Sequence, residues 1–564
     1  MRIKSSHLIT GALLCALFSS AQEPARTLRN PFAFPILLSG NFGELRSNHF
    51  HSGIDFKTQG AEGKPIHAPQ AGYVSRIAVS PWGYGNALYL THPDGTTTVY
   101  GHLLKFAPKI AAYLKERQYA EESFRVDLTL TPDQLPVEQD EVVALSGNTG
   151  SSAGPHLHFE VRDTETEEVL DPLPYFMDRV KDTRPPKIQG VMVVPVPGKG
   201  AVNGQGGKVK LKVVTDKSGQ PALSGKIEAW GEIGLAIKAY DYMDQTGNIY
   251  GVRTITLEAD GKELFHSDLD RFAFDETRYI NSLTDYEEWS NHRSFYMRSY
   301  VEPGNRLRFL RAENRGILRI DEPRVYQLTY TLADLFGNTT RLSLRVAGKE
   351  QPIHQPDTTG REPFHWNSDN RFGAKGIRLH IPRGNLYDDL AFRYSAKKSE
   401  GALASTHRLH DHPVPLHRGA HLSLFLDKDT LADKRQYGIV RISGGRPSWV
   451  GGSYRNGWID ADIKELGREY TIRQDVTPPS VIPLNPQAWT SKRMIQLRLS
   501  DDLSGVDRYR GEIDGQFALF EMNSRSVVTY RFDPERLERG RHQLRLVVAD
   551  ACGNETVYTH AFSR

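Results

Sequence analysis

Gly154-Pro155-His156-Leu157-His158-Phe159-Glu160 is the stretch on which the interpretation of this sequence depends. Side chains of a β-strand alternate between its two faces, so His156 and His158 are predicted to share one face while Leu157 and Phe159 enter a core. Two titratable rings on one face are an unusual choice for a buried strand. Taken alone, the pair is also compatible with a half-solvated strand whose outward residues happen to be histidines.

A second stretch, His51-Ser52-Gly53-Ile54-Asp55, supplies the residue types that complete a metal site. A catalytic zinc ion takes three protein ligands from His, Asp or Glu and keeps a fourth position for water. Gly53 and the extended run after it argue against a helix, so we place His51 in a loop and Asp55 at a strand start, with the glycine allowing the bend. H-x-x-x-D alone often arises by chance, but together with H-x-H it predicts the ligand set of a zinc hydrolase.

The composition limits which fold classes and which classes of binding partner are expected. The 564 residues exceed what a single hydrophobic core supports and predict three or four domains. The 71 Lys and Arg nearly balance the 68 Asp and Glu, and no basic block with interleaved aromatics occurs, so nucleic acid is not an expected partner. A mean hydropathy of −0.50 argues against a polytopic membrane protein. Frequent glycines and aromatics with few helical periodicities predict a mainly β chain.

The first residues are predicted to be an export signal, residues 1–21. Arg2 and Lys4 precede an apolar run over 8–18 that is too short to span a bilayer, and small residues then offer a cleavage site. We therefore expect a protein exported to the periplasm, cell envelope or exterior, with no transmembrane segment in the mature chain. A lipoprotein signal using Cys15 is the competing interpretation and fits that cysteine's position poorly. The mature chain then keeps Cys552, predicted to be a small buried residue without an internal disulfide partner.

Residues 30–180 are predicted to form the first domain, an antiparallel sheet. Short β-branched and aromatic runs alternate with glycine and proline turns. The predicted strands cover 73–80, 87–91, 97–102, 141–146 and 156–162, and Asp94-Gly95 predicts a hairpin turn. An insertion at 107–140 interrupts this rhythm with a predicted helix over 110–119 and a strand over 125–130, and is a candidate wall for a groove.

Six motifs in a fixed order carry a resemblance to a known family. They are Phe42-Gly43-Glu44-Leu45-Arg46, His51-Ser52-Gly53-Ile54-Asp55, Tyr84-Gly85-Asn86, Tyr100-Gly101-His102-Leu103, Ser146-Gly147-Asn148-Thr149-Gly150 and Gly154-Pro155-His156-Leu157-His158-Phe159. Over about 40–165 the sequence resembles the lysostaphin/LytM-type zinc metallopeptidases, the M23 peptidases. The resemblance implies an antiparallel β-sheet groove, one Zn²⁺ and cleavage of peptide bonds in peptidoglycan cross-links or stem peptides. The insertion departs from the compact family pattern and leaves groove width and substrate choice open.

The resemblance also implies roles for single residues. His51, Asp55 and His158 correspond to the zinc ligands, and His102 and His156 to the two catalytic histidines that do not bind the metal. A zinc ion in such a site activates water for attack on a peptide carbonyl. Histidine titrates near neutral pH, so His156 is the candidate general base and His102 the candidate for holding the oxyanion or protonating the leaving amine. The sequence leaves open which of the two has which role.

Four neighbouring residues have open assignments. His49 lies two residues before a predicted ligand and is an alternative one, although a solvent-facing role is expected. Arg46 could bind a substrate carboxylate or form a structural ion pair. Tyr84 and Asn86 could line a groove or belong to a plain turn.

The chain after residue 180 contains an internal repeat. Asp182-Thr183-Arg184-Pro185-Pro186 recurs as Asp475-Val476-Thr477-Pro478-Pro479, and Ala333-Asp334-Leu335-Phe336-Gly337-Asn338 recurs as Ala549-Asp550-Ala551-Cys552-Gly553-Asn554. The Asp-x-x-Gly-Asn core predicts a tight hairpin turn. The repeat resembles immunoglobulin-like β-sandwiches, predicted here for 184–348 and 476–564.

The region between the repeats is harder to interpret. Residues 350–475 are predicted to be a β-rich domain that begins with a polar linker. Four irregularly spaced histidines are predicted to lie in a loop, where a second metal site is not favoured because no carboxylate motif accompanies them; they are His407, His410, His412 and His417.

Two functions remain open from the sequence. The first is an exported zinc metalloendopeptidase acting on peptidoglycan peptides. The second is a non-catalytic scaffold or activator of other cell-wall hydrolases. The presence of every implied ligand and both auxiliary histidines favours the enzyme. The C-terminal β domains are expected either to bind polymer or a protein partner, or to brace the enzyme domain.

Overall fold

A computed structural model describes residues 27–217, 219–398 and 400–564. The predicted signal peptide and Cys15 lie outside these ranges. Regular structure in the described ranges is mostly antiparallel β-sheet, which confirms the mainly β fold class. No helix in this part of the chain combines the length and apolar character needed to cross a bilayer.

The first region builds one large sheet and smaller ones beside it. Its elements are β1 (Leu38–Gly40), β2 (Leu45–Arg46), β3 (His49–Phe50), β4 (Ile54–Lys57), β5 (Pro65–His67), β6 (Gly72–Val79), β7 (Asn86–Thr91), β8 (Thr96–Gly101), β9 (Lys105–Phe106), α1 (Pro108–Ala120), β10 (Val126–Thr129), β11 (Pro136–Val137), β12 (Val142–Leu145), β13 (His156–Asp163) and β14 (Val169–Leu170). The large sheet has the order β1-β4-β13-β8-β7-β6-β10. The predicted strands and helix are confirmed, with bounds shifted by a residue or two.

The register of three neighbouring strands positions the predicted site residues. On β13, His158 lies opposite Asp55 of β4 on one side and Gly101 of β8 on the other. The intervening Leu157 and Phe159 are fully buried, as the alternation predicts. A side chain of this size stabilises the fold by about 1.5–3 kcal/mol when it is buried, so the apolar face holds the polar face in register.

The insertion at 107–140 lies on the far side of the large sheet. Its strand β10 pairs with β6 at one edge of that sheet. Strand β10 is the fourth strand along from β13. Its helix contacts the C-terminal region: Lys115 forms an ion pair of 2.7 Å with Asp533, and the ring of Tyr119 lies 5.6 Å from that of Phe517.

The second region forms another large sheet. Part of its chain packs into the hydrophobic core of the first region, called here the first core. Its elements are β15 (Lys187–Val202), β16 (Val209–Thr215), β17 (Pro221–Leu223), β18 (Ile227–Tyr240), β19 (Thr254–Ala259), β20 (Lys262–Asp268), β21 (Arg271–Phe272), α2 (Ile280–Leu283), α3 (Tyr286–His292), β22 (Met297–Arg298), β23 (Leu310–Ala312), β24 (Leu318–Ile320), β25 (Val325–Ala333) and β26 (Thr339–Gly348). Strand β21 pairs with β14, and the ring centre of Phe272 lies 5.3 Å from that of Phe42 in the first core. The first core therefore crosses the predicted boundary near residue 180.

Two further β regions complete the chain. The third contains β27 (Arg361–Phe364), β28 (Asn370–Ala374), β29 (Ile377–Ile381), β30 (Leu390–Lys397), β31 (Thr406–Phe425), β32 (Tyr437–Ser443), β33 (Arg446–Gly451), β34 (Ser453–Arg455) and β35 (Trp458–Gln474). The fourth contains β36 (Ser480–Pro483), α4 (Trp489–Lys492), β37 (Met494–Ser500), β38 (Val506–Ile513), β39 (Gln516–Phe517), β40 (Glu521–Met522), β41 (Val527–Arg531), β42 (Arg541–Asp550) and β43 (Glu555–Ser563). Two four-stranded sheets of the fourth region share one apolar core, and Cys552 is buried in the turn between β42 and β43. The immunoglobulin-like assignment and the domain bounds stay predictions.

The prediction of a loop for the four histidines of the third region is wrong. All of them, His407, His410, His412 and His417, lie within the long strand β31. Its pairing with β35 shifts register twice, and His410 has a φ of 83°. These irregularities break the two-residue alternation, which explains why a strand was hard to recognise from the sequence.

Candidate metal centre

Three donor atoms from β4, β13 and the loop before β4 converge on one point. The atoms His51 Nε2, Asp55 Oδ1 and His158 Nδ1 are each 3.0 Å from the other two. All three side chains are buried. The structure therefore brings together the three residues predicted as ligands, called here the histidine–aspartate group.

The opposite side of each donor residue is held by a hydrogen bond. His51 donates from Nδ1 to the carbonyl of Asn41 at 2.7 Å, and Asp55 accepts at Oδ2 from Arg46 at 2.7 Å. His158 donates from Nε2 to a buried carboxylate at 2.9 Å. These bonds leave a lone pair on each converging nitrogen, which is the arrangement that orients histidine ligands around a metal. Two imidazoles and one carboxylate form a donor set that suits zinc.

The carboxylate behind His158 belongs to Glu160, which sequence reasoning did not single out. It is fully buried and also accepts hydrogen bonds from Ser52 at 2.5 Å and from Arg162 at 2.5 Å. Burial alone would raise the pKa of Glu160, but the charge of Arg162 and the bond from His158 lower it to about 2. The residue was identifiable in principle, because positions 156, 158 and 160 share one strand face.

The electrostatics of the group favour a positive charge between the donors. Burial acts to lower the pKa of His158, yet its hydrogen bonds to the carboxylates of Asp55 and Glu160 outweigh it and raise the value to about 9. Burial lowers the pKa of His51 to about 4. The protein thus stabilises one proton on His158, and a metal ion bound there would replace it. The donor set and this charge both fit a divalent metal.

The two predicted auxiliary histidines flank the group. His156 donates from Nδ1 to the Gly154 carbonyl at 2.8 Å, and its Nε2 lies 3.6 Å from Oδ1 of Asp55. His102 donates from Nδ1 to the carbonyl of Thr149 at 2.8 Å, and its ring lies 4.7 Å from that of His156. Both rings therefore keep Nε2 available.

The position of His102 depends on an unusual backbone. The residue directly follows β8 and has a φ of 61°, in the left-handed region that few non-glycine residues adopt. Its N–H donates to the carbonyl of Tyr84 at 2.7 Å. Burial and the neighbouring imidazoles lower the pKa of His102 to about 3, so its ring is neutral.

Two of the residues with open assignments, Arg46 and Tyr84, have structural partners. His49 is exposed and lies outside the converging donors. Arg46 forms the ion pair with Asp55, and the hydroxyl of Tyr84 donates to the buried Glu160.

Comparison with known proteins gives two family matches. A model of peptidase family M23 matches residues 49–119, and a model of a Zu5-like domain matches residues 361–475. The M23 match includes His51, Asp55 and His102.

Similar proteins match a limited part of the chain. An uncharacterised metalloprotease of Haemophilus influenzae is 34% identical over 110 residues, which are 20% of this chain and 18% of that protein. The DD-carboxypeptidase/endopeptidase Mpg of Neisseria meningitidis serogroup B is 30% identical over 118 residues, which are 21% of each protein. The chain thus spans about a fifth of the length of these curated relatives. A solved catalytic domain of lysostaphin from Staphylococcus simulans is 23% identical, with a TM-score of 0.19, and the match covers 25% of this chain and 92% of that domain.

Proposed function

We propose that this chain, whose residues 49–119 match a model of peptidase family M23, is an exported zinc metalloendopeptidase that hydrolyses peptide bonds of peptidoglycan. The observation that carries the proposal is the complete histidine–aspartate group with both auxiliary histidines beside it. The name of the similar Neisseria protein describes a DD-carboxypeptidase/endopeptidase, which supports a wall peptide as the class of substrate.

The proposed roles follow from which side-chain atoms converge on one point and which ring nitrogens lie beside that point. His51, Asp55 and His158 would hold Zn²⁺, which when bound activates water and polarises a peptide carbonyl. The Nε2 of His156 lies 3.6 Å from Asp55 Oδ1, so we assign it to accept the proton of the attacking water. His102, whose ring centre lies 4.7 Å from that of His156 and 6.0 Å from that of His158, is assigned to stabilise the developing oxyanion or to protonate the leaving amine.

The hydrogen bonds around the group support catalysis by fixing geometry before substrate binds. Both auxiliary rings are anchored to backbone carbonyls, so neither needs to rotate to present Nε2. Glu160 is anchored in turn by Arg162, which keeps the His158 ring in one orientation.

The test compares His158→Ala with His49→Ala, a matched control that removes an exposed histidine outside the group. We expect native protein and His49→Ala to hold one zinc per chain and to release muropeptides with a newly cleaved peptide bond from isolated sacculi. His158→Ala is expected to lose both properties. Mass spectrometry of the released muropeptides identifies the cleaved bond. A native protein without zinc and without muropeptide release would instead favour the non-catalytic scaffold.

A further inference from the structure

A second convergent set of side chains lies between the first and second regions, at the predicted repeat motif. Asp182 precedes β15, Asp241 follows β18 and Asp334 follows β25. One carboxylate oxygen from each lies within 4.8 Å of the others. Their exposed fractions are 7%, 2% and 8%, so this aspartate group is buried.

Backbone turns hold two of these carboxylates in place. Asp334 accepts at Oδ1 from two amides of its own turn and at Oδ2 from the side chain of Asn338 at 2.7 Å. The same Asn338 amide donates to the backbone carbonyl of Asp182 at 3.2 Å. The Oδ1 of Asp182 accepts from the amides of Arg184 and Asp244 at 3.1 and 3.2 Å. The turn predicted from the sequence therefore joins two of the three acids.

The remaining oxygens are buried without a partner. Within the described ranges, Asp182 Oδ2 and Asp241 Oδ1 accept no hydrogen bond, and none of the three acids forms an ion pair. The nearby guanidinium of Arg184 bonds to backbone carbonyls instead. Burying an unpaired carboxylate costs several kcal/mol, so a missing positive partner is the simplest account of the arrangement.

The electrostatics and the space around the group agree with that account. Burial raises the pKa of Asp241 to about 8, and the neighbouring acids add to the shift. Asp241 and Asp334, but not Asp182, line a small cavity of about 20 Å³, bordered by Asn41 of the first region. Arg253 also lines this cavity, where its guanidinium is already paired with Asp171 and Asp268. A volume of about 10–15 Å³ already holds one water-sized sphere, so the cavity has room for a single small occupant.

We propose that Asp182, Asp241 and Asp334 bind one calcium ion that fastens the second region to the first. A donor set made of carboxylate oxygens selects hard cations over zinc. Calcium accepts six to eight oxygens in flexible geometry, whereas magnesium requires a nearly ideal octahedron. Three carboxylates with irregular spacing and room for water therefore suit calcium better.

The location explains what the ion would do. The backbone of Asp241 pairs with that of Tyr250 through two bonds of 2.9 and 3.0 Å, and the Tyr250 hydroxyl donates to the Leu38 carbonyl at 2.8 Å. The next residue, Gly251, exchanges two hydrogen bonds of 2.8 Å with the side chain of Asn41. A cation at Asp241 would thus fix the loop that holds strand β1.

The second repeat offers a matched comparison. Asp475, Asp501 and Asp502 approach each other there, and Asp501 Oδ1 is likewise buried without a hydrogen bond. The second cluster differs in that both carboxylate oxygens of Asp475 accept backbone hydrogen bonds, Asp501 is partly exposed and Asp502 is exposed. Asp501→Asn therefore serves as the control for Asp241→Asn, since each substitution removes one acid from a group of three.

The experiment measures calcium directly and does not use enzymatic activity. Full-length protein is stripped of metal, reloaded with one equivalent of zinc and titrated with CaCl₂ by calorimetry. We expect a dissociation constant of about 10⁻⁴–10⁻³ M, the range of extracellular calcium modules, and a melting temperature that rises with calcium until the site is full. Asp241→Asn should bind one calcium fewer and lose this rise, while folding without calcium because it removes a buried unpaired charge. Asp501→Asn should retain both.

Three results would overturn the proposal. The first is native protein whose melting temperature and heat of titration do not respond to CaCl₂, which would mean that the acids share protons. The second is calcium binding that survives in Asp241→Asn and disappears in Asp501→Asn. The third is equal affinity for MgCl₂, which would reject calcium as the ion. Failure of the peptidase proposal would leave the contrast between Asp241→Asn and Asp501→Asn unchanged.

Discussion

The histidine–aspartate group and the aspartate group both gather three buried donors, yet they differ in how completely those donors are satisfied. In the first group, the atom of each side chain that faces away from the centre forms a hydrogen bond: to the Asn41 carbonyl, from Arg46, or to the Glu160 carboxylate. In the second, two buried carboxylate oxygens have no hydrogen-bond partner among the described residues. The first group can remain ordered with a proton in place of a metal, whereas the second is expected to depend on a cation for stability.

The two groups also differ in the elements that carry them. Asp55 and His158 lie opposite each other on paired strands of one sheet. Such a rigid element holds catalytic side chains in a precise geometry. The aspartates lie at strand ends and in the segment that connects two regions. The two groups therefore differ in both donor chemistry and position: the proposed catalytic metal has nitrogen and oxygen donors on a sheet, and the proposed structural ion has oxygen donors at a junction between regions.

The largest effect is expected on turnover, from replacing His102, which lies beside the histidine–aspartate group and is not a predicted ligand. His102→Ala should keep one zinc per chain and lose turnover of sacculi by about 10²–10⁴-fold, the usual contribution of a positioned acid or base. Zinc content by elemental analysis and muropeptide release measure the two properties on one sample. Loss of zinc from this variant would mean that His102 is a ligand and that the donor assignment is wrong.

A smaller effect is expected from the carboxylate behind His158. Glu160→Gln keeps the shape of the side chain and removes the charge that orients the imidazole, so zinc affinity should fall by about 10–100-fold. Competition with a chromophoric chelator measures the affinity. Tyr84→Phe is the matched control, because it removes one donor to Glu160 and leaves its charge in place. Unchanged affinity in Glu160→Gln would show that the strand alone fixes His158.

Much of the first group could be predicted from the sequence because its determinants are local. The alternation along 156–160 is a property of any strand, and Gly53 marks the bend that brings His51 and Asp55 together. The fully buried Glu160 escaped notice because a lone acid on a strand is ordinarily a solvated residue, and its partner Arg162 is recognisable only from the shared face.

The second group could not be predicted because its members meet only after folding. The sequence contained the repeated Asp-x-x-Gly-Asn turn, which the structure forms through the bonds of Asn338. Asp241 belongs to no motif, and its place beside Asp334 depends on the pairing of whole sheets. Phe272 also packs in the first core, although the sequence had predicted that this domain ends near residue 180. Such contacts between residues distant in the sequence are not visible from composition.

The smallest expected effect tests whether the two groups communicate. The path runs from Asp241 through the Tyr250 pairing to Gly251, then to Asn41, whose carbonyl accepts the Nδ1 hydrogen of His51. Calcium should therefore raise zinc affinity by about fivefold, the low end of typical coupling, and zinc should raise calcium affinity by the same factor.

Asn41→Ala isolates this path, because it removes both side-chain bonds to Gly251 while leaving the backbone carbonyl that holds His51. Each ion should still bind to this variant, measured by calorimetry in the presence and absence of the other, but the fivefold coupling should disappear. Native protein with the same zinc affinity in calcium as without it would mean that the groups act independently. Calcium would then stabilise the junction alone, and the orientation of His51 would depend only on its own hydrogen bond.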